Sequence, residues 1–151
     1  MDTLDINIIC SSDPVVAKTF KGVCSYDTLP ERVTSYPASY ICNTDIVTRP
    51  GEHWVALFFE NNEICEYFDS YGLPPYGKIL AFAKRNGANV VYNRRWLQSP
   101  LSHTCGLYCV YYLWHVARGM LVQQITGSPF LPGRWEQNDA FVTDWMRLLL
   151  R

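Results

Sequence analysis

Six consecutive apolar residues, Trp54-Val55-Ala56-Leu57-Phe58-Phe59, constrain this chain more than any other stretch. A strand with one wet face alternates apolar and polar residues. This one is apolar at both parities, so it reads as a central strand covered on both faces. Such a strand needs neighbours on either side and further elements above and below it. Asn61-Asn62 follows as a two-residue turn, because asparagine tolerates positive φ. Residues 63–68 then run back as the partner strand. With that turn, Trp54 faces Asp69 and His53 faces Ser70. A one-residue change of loop length would set His53 directly opposite Asp69. Either register brings an imidazole and a carboxylate to the same end of neighbouring strands, where opposed residues lie ~5 Å apart and diagonal ones ~7–8 Å.

A second stretch carries a nucleophile. A loop containing Ser99, Pro100 and Ser102 leads into Cys105, and a helical apolar pattern begins there. Leu107, Val110, Tyr111, Trp114 and Ala117 recur at steps of three and four, which predicts one buried helix face. Arg118 and Gly119 suit the end of that helix. Cys105 falls in the first turn, where unpaired N–H groups and the positive helix end favour a thiolate. Gly106 has no side chain to block a substrate approaching the sulfur. Free cysteine is also among the most buried residue types, and Cys10, Cys24, Cys42, Cys65 and Cys109 read as packing. His103 competes as a base, but its loop supplies no orienting acid. His115 sits in the last helical turn, where a protonated ring suits the dipole, and reads as structural.

The remaining elements are coarser. Residues 1–40 are weakly patterned, with Asp13-Pro14 starting a short helix through Val15, Val16 and Phe20. Residues 40–42 predict a short strand and Arg49-Pro50-Gly51-Glu52 a turn. Ile79, Leu80, Phe82 and Ala83 predict a helix over 76–86 that Gly87 closes. Residues 90–92 predict a further strand. Asn138 is placed as the cap of a final helix with Phe141, Val142, Trp145 and Leu149 on its buried face. The fold class is α+β: one domain over residues 1–151, a mainly antiparallel sheet with helices packed on it.

Composition narrows the partners. A net charge of −1 gives no general electrostatic reason to bind nucleic acid or a membrane surface. No apolar run reaches transmembrane length, and the acidic start at Asp2 and Asp5 is unlike a signal peptide. Six cysteines without a C-x-x-C pair read as free thiols in a reducing, intracellular compartment. Cys105, Cys109 and His103 have poor zinc spacing, so no metal is expected.

His53, Asp69, Gln98 and Cys105 together fill every role of a thiol protease. The thiolate attacks a carbonyl carbon, and the imidazole holds it as an ion pair before protonating the leaving amine. The carboxylate orients the ring. The Gln98 amide and the Cys105 backbone N–H bind the oxyanion. The residues Gly51-Glu52-His53-Trp54, Tyr67-Phe68-Asp69-Ser70-Tyr71-Gly72 and Gln98 through Cys105-Gly106-Leu107-Tyr108-Cys109 make the chain resemble the adenain-like proteases and their relatives, the SUMO-specific proteases. Asn43-Thr44 and Thr126-Gly127-Ser128-Pro129 also look adenain-like. Asp69 matches the SUMO-specific branch, where adenoviral enzymes carry glutamate.

The resemblance implies a permuted papain-like fold with a five-stranded sheet, and Trp54 and Gly106 as substrate-binding residues. It implies cleavage after glycine in Gly-X-Gly or Gly-Gly sequences of viral capsid or core precursor proteins, in the host nucleus and the virion. It also implies stimulation by DNA and by a disulfide-linked capsid-precursor peptide. Residues 87–97 contain no cysteine to anchor such a peptide, so any activating peptide or DNA would act noncovalently on a monomer that requires no cofactor. The alternatives are an isopeptidase acting on SUMO or ubiquitin conjugates, and an inactive module that binds ubiquitin-like or Gly-rich tails.

Overall fold

The computed structural model describes residues 1–45 and 53–151, so the turn read at Arg49-Pro50-Gly51-Glu52 lies outside the described residues. Five strands, β1 (Phe20–Cys24), β2 (Ala38–Asn43), β3 (Trp54–Asn61), β4 (Ile64–Phe68) and β5 (Asn89–Tyr92), lie side by side in that order. The six-residue apolar run thus begins the middle strand. Its alternate side chains divide between two cores. Val55, Leu57 and Phe59 pack with Ile79, Phe82 and Ala83 of α3 (Gly77–Gly87) on one face. Ala56, joined by Trp54 and Phe58, packs on the other face against α4 (Cys105–Val116). Each fully buried large apolar side chain contributes about 1.5–3 kcal/mol. The double burial of β3 is therefore what fixes a helix layer on each side.

The sheet is mixed rather than mainly antiparallel. β2–β3 and β3–β4 pair antiparallel, while β1–β2 and β4–β5 pair parallel. The reason is connection length: a parallel partner needs a crossover. α3 provides it between β4 and β5. Residues 25–37 provide it between β1 and β2, anchored on α3 by Val33 N–H donating to Asn86 Oδ1 at 2.9 Å.

Several helices differ from the sequence reading. α1 (Thr3–Ser12) was not expected; only Ile6 and Cys10 are buried along it, so its apolar stripe is thin. Its signal is the reciprocal capping of Asp2 and Asp5, each side chain accepting the other's backbone N–H. The helix expected after Asp13 is a single turn, α2 (Pro14–Ala17), and Phe20 belongs to β1. α4 is buried on almost every side, not along one face: Tyr108, Tyr112 and Leu113 are as enclosed as Val110 and Tyr111. After a short α5 (Val122–Ile125), α6 (Trp135–Leu149) starts earlier than predicted. Asn138 lies inside it, buried, and ties it to the preceding loop through Leu131 and Leu97 rather than capping it. No helix of the described residues is long and apolar enough to cross a membrane.

Candidate active site

The β3–β4 hairpin sets His53 against Asp69. Its turn falls on Asn62-Glu63, one residue later than predicted, and an irregularity between Phe59 and Asn61 takes back part of the shift. Ala56 consequently faces Phe68. Continued past the strand end, this register makes Asp69 the diagonal neighbour of His53 on the same face of the sheet. Twist closes the remaining distance, and His53 Nε2 lies 2.7 Å from Asp69 Oδ1. A carboxylate only accepts, so Nε2 carries the proton and Nδ1 is left for the Cys105 sulfur. The Tyr71 ring stacks on the imidazole, with centroids 5.0 Å apart at 22°.

Asp69 is 4% exposed and is held on all sides. Its Oδ1 accepts from Tyr71 N–H at 2.9 Å. Asn93, directly after β5, clamps its peptide group: Asp69 N–H donates to Asn93 Oδ1 at 2.9 Å, and Asn93 Nδ2 donates to Asp69 C=O at 2.7 Å. Asn93 was not a sequence candidate. Nothing in its local pattern marks it, because the contact is made across the sheet. Gly72 adopts φ +72°, and a Cβ there would stand 2.9 Å from the Arg95 backbone. The turn that follows the acid can only nest against residues 94–95 without a side chain.

Cys105 opens α4 as expected. No side chain caps this helix, so its first N–H groups stay available to the sulfur and to charge developing beside it. Burial alone would raise the thiol pKa. Hydrogen bonding to His53, the Trp54 and Gly106 backbone N–H groups and the imidazolium charge bring it below the ordinary thiol value. For His53, burial pulls the pKa down, but hydrogen bonds to Asp69 and Cys105 and their charges raise it to about 9. The two shifts both run toward a thiolate–imidazolium pair. Cys10, Cys42, Cys65 and Cys109 are shifted the other way: burial raises Cys10, Cys65 and Cys109, and the Cys24 thiol together with burial raises Cys42. Cys24 is lowered by hydrogen bonding to Cys42. All six cysteines are free.

His53, Asp69, Gln98 and Cys105 share a cleft of about 570 Å³. Gln98 is buried within the preceding loop, its Nε2 donating to Ser102 C=O at 3.1 Å. That loop is pinned from α6 by Asp139, which accepts from Tyr108 Oη at 2.7 Å, Thr104 Oγ1 at 3.2 Å and Ser99 N–H at 3.4 Å. Asp139 is the second positioning residue that the sequence reading missed. Trp54 and Gly106 are not among the residues lining the cleft. They meet beside the sulfur, where a Cβ on Gly106 would come within 3.3 Å of the indole and 3.4 Å of Met1. His103 is exposed on the cleft wall. At His115, burial and then the Arg118 charge lower the pKa although the Tyr111 carbonyl opposes them, so the expected protonated ring is not favoured.

No protein-family model matches the chain. It is 32% identical over 158 aligned residues to a protein of Acanthamoeba polyphaga mimivirus named as a thiol protease, covering 86% of this chain and 49% of that protein. Over 48 residues it is 42% identical to the cysteine protease of African swine fever virus, covering 30% of this chain and 18% of that protein. In other isolates the corresponding protein is named a SUMO-1 cysteine protease. A crystal structure of the African swine fever virus protease superposes with a TM-score of 0.52 at 22% identity, over 70% of this chain and 43% of that one, so the fold is shared. The chain spans about half the length of the mimivirus protein and less of the swine fever virus protein. The proteins that this chain resembles in sequence and in fold are viral cysteine proteases.

Proposed function

We propose that the chain is a cysteine endopeptidase with Cys105 as nucleophile, His53 as acid–base and Asp69 as orienting acid, in the adenain-like branch of such enzymes. The observation that carries this reading is the 2.7 Å contact of His53 with Asp69, on a ring whose other nitrogen serves the helix-opening sulfur. The thiolate adds to the scissile carbonyl, and its oxygen takes the negative charge beside the Cys105 N–H and the Gln98 amide. The imidazolium gives its proton to the nitrogen as the C–N bond breaks, leaving a thioester. The imidazole then takes a proton from water, the hydroxide adds to the thioester, and the C–S bond breaks to return the thiolate and the acid product.

The substrate in this proposal is a protein with a Gly-X-Gly or Gly-Gly site, cleaved after glycine, in a viral capsid or core precursor. A ubiquitin-like isopeptidase is the second reading. It is favoured by the SUMO-1 protease name of the swine fever virus relative and by the aspartate at the acid position. The test is turnover of a Leu-Arg-Gly-Gly fluorogenic peptide, set beside SUMO and ubiquitin conjugates and a viral precursor. Release by the wild-type chain and none by Cys105→Ala is expected. Equal release by both proteins would overturn the protease reading.

A further inference from the structure

The residue after the catalytic acid has its own task. Ser70 is fully buried, and its Oγ lies 2.5 Å from Gln98 Oε1. The direction of this bond follows from the far end of the amide. Gln98 Nε2 meets the Ser102 carbonyl oxygen at 3.1 Å, and a carbonyl can only accept, so that end must be the NH₂. Oε1 therefore faces Ser70, and the serine hydroxyl must donate. The Ser70 backbone holds the same segment, its carbonyl accepting Leu97 N–H at 2.8 Å and Gln98 N–H at 3.2 Å. Ser70 thus grips Gln98 at both its peptide and its amide.

We infer that Ser70 is a positioning residue for the oxyanion donor: its hydroxyl anchors Gln98 Oε1 and so, with Ser102 on Nε2, holds the amide in place at the cleft. Without that donor the amide is held at its Nε2 end alone, by the Ser102 carbonyl at 3.1 Å and the Ser102 hydroxyl at 3.3 Å, and Oε1 is left buried without a partner. A buried glutamine left without its Ser70 partner would seek another one. This inference rests on the protease reading, and within it the dipeptide Asp69-Ser70 serves two machines. Asp69 orients the base, and Ser70 orients the group that stabilises negative charge.

The experiment separates them by probe. Iodoacetamide alkylates Cys105 without forming an oxyanion, whereas a Leu-Arg-Gly-glycinal inhibitor adds to the sulfur and places an oxygen in the donor site. For Ser70→Ala we expect a loss of about ten- to a hundredfold in kcat and in glycinal affinity, smaller than the 10²–10³ for outright loss of a donor. KM and the alkylation rate of Cys105 should stay within about twofold of wild type. Ser70→Thr, which restores a hydroxyl, should recover most of the glycinal affinity. In the Gln98→Ala background Ser70→Ala should add nothing further. Where melting shows that Ser70→Ala does not fold, Ser70→Cys, with its weaker donor, takes its place with the same expected direction. Unchanged glycinal affinity in a folded Ser70 variant, with Gln98→Ala impaired, overturns the inference alone. Unchanged affinity in Gln98→Ala overturns the oxyanion assignment on which it stands.

Discussion

At the scale of single residues, two opposed pKa shifts define when the site is armed. Burial pulls the His53 pKa down, but the bonds to Asp69 and Cys105 outweigh it and raise it to about 9, and the Cys105 thiol is lowered by the same pairing. The ion pair exists above the thiol's lowered value and below that of the imidazolium. The rate of Cys105 alkylation by iodoacetamide, followed by mass spectrometry from pH 5 to 10, should therefore rise on an acid limb below the ordinary thiol range. Cys24 is the expected runner-up among the other thiols, being partly exposed and lowered, while the buried four stay slow. Asp69→Asn should shift the alkaline limb of kcat/KM downward, since the ring loses its stabilising charge. It should cut kcat by about 10³–10⁴-fold while leaving the fold intact. Near-normal turnover by that variant would remove Asp69 from the mechanism.

At the scale of elements, loops are aimed by residues far away in sequence. Asn93 sits on the exit of β5 and fixes the peptide of Asp69, and Asp139 on α6 fixes the loop before Cys105. Asn93→Ala should lower kcat about tenfold or more and also lower the alkaline pKa of the profile. A loss of stability without a moved pKa would reduce Asn93 to packing; the expected cost of unpairing Asp69's buried peptide is about 1–3 kcal/mol. Asp139→Ala should impair kcat more than KM. The sequence made the chemistry-bearing elements legible because each has a local signal: unbroken apolarity for β3, a helical period starting at Cys105 for α4, and a closing Gly87 for α3. β1 escaped notice because Gly22 interrupts it at φ 141° and because, as an edge strand, it is only half-buried. The hairpin register was off by one pair because alternation is mute in a strand apolar at every position. Asn93, Asp139 and Ser70 were invisible for another reason: polar residues bonded across the fold leave no period in the chain.

At the scale of the whole molecule, the sheet separates two cores, and the site lies where the ends of β3 and β4 meet the start of α4. Trp54, Phe58, Leu107 and Trp114 join the core that binds the hairpin to this helix. His53, Asp69 and Cys105 are thus held in register by packing within the chain. We predict measurable turnover of the Leu-Arg-Gly-Gly peptide in reducing buffer that DNA leaves unchanged at physiological salt, in keeping with a net charge of −1. Activity that appears only with DNA or with an added peptide would show that an outside partner completes the site. The turn after β4 carries a further consequence, for inheritance and for engineering. Because Asp69 and Ser70 are adjacent, and Gly72 fits only against the 94–95 backbone, an insertion or a bulky replacement there displaces both halves of the machinery at once. Neither can drift while the other stays. A graft of this centre onto a new scaffold must carry residues 69–72 and Asn93 as one indivisible cassette.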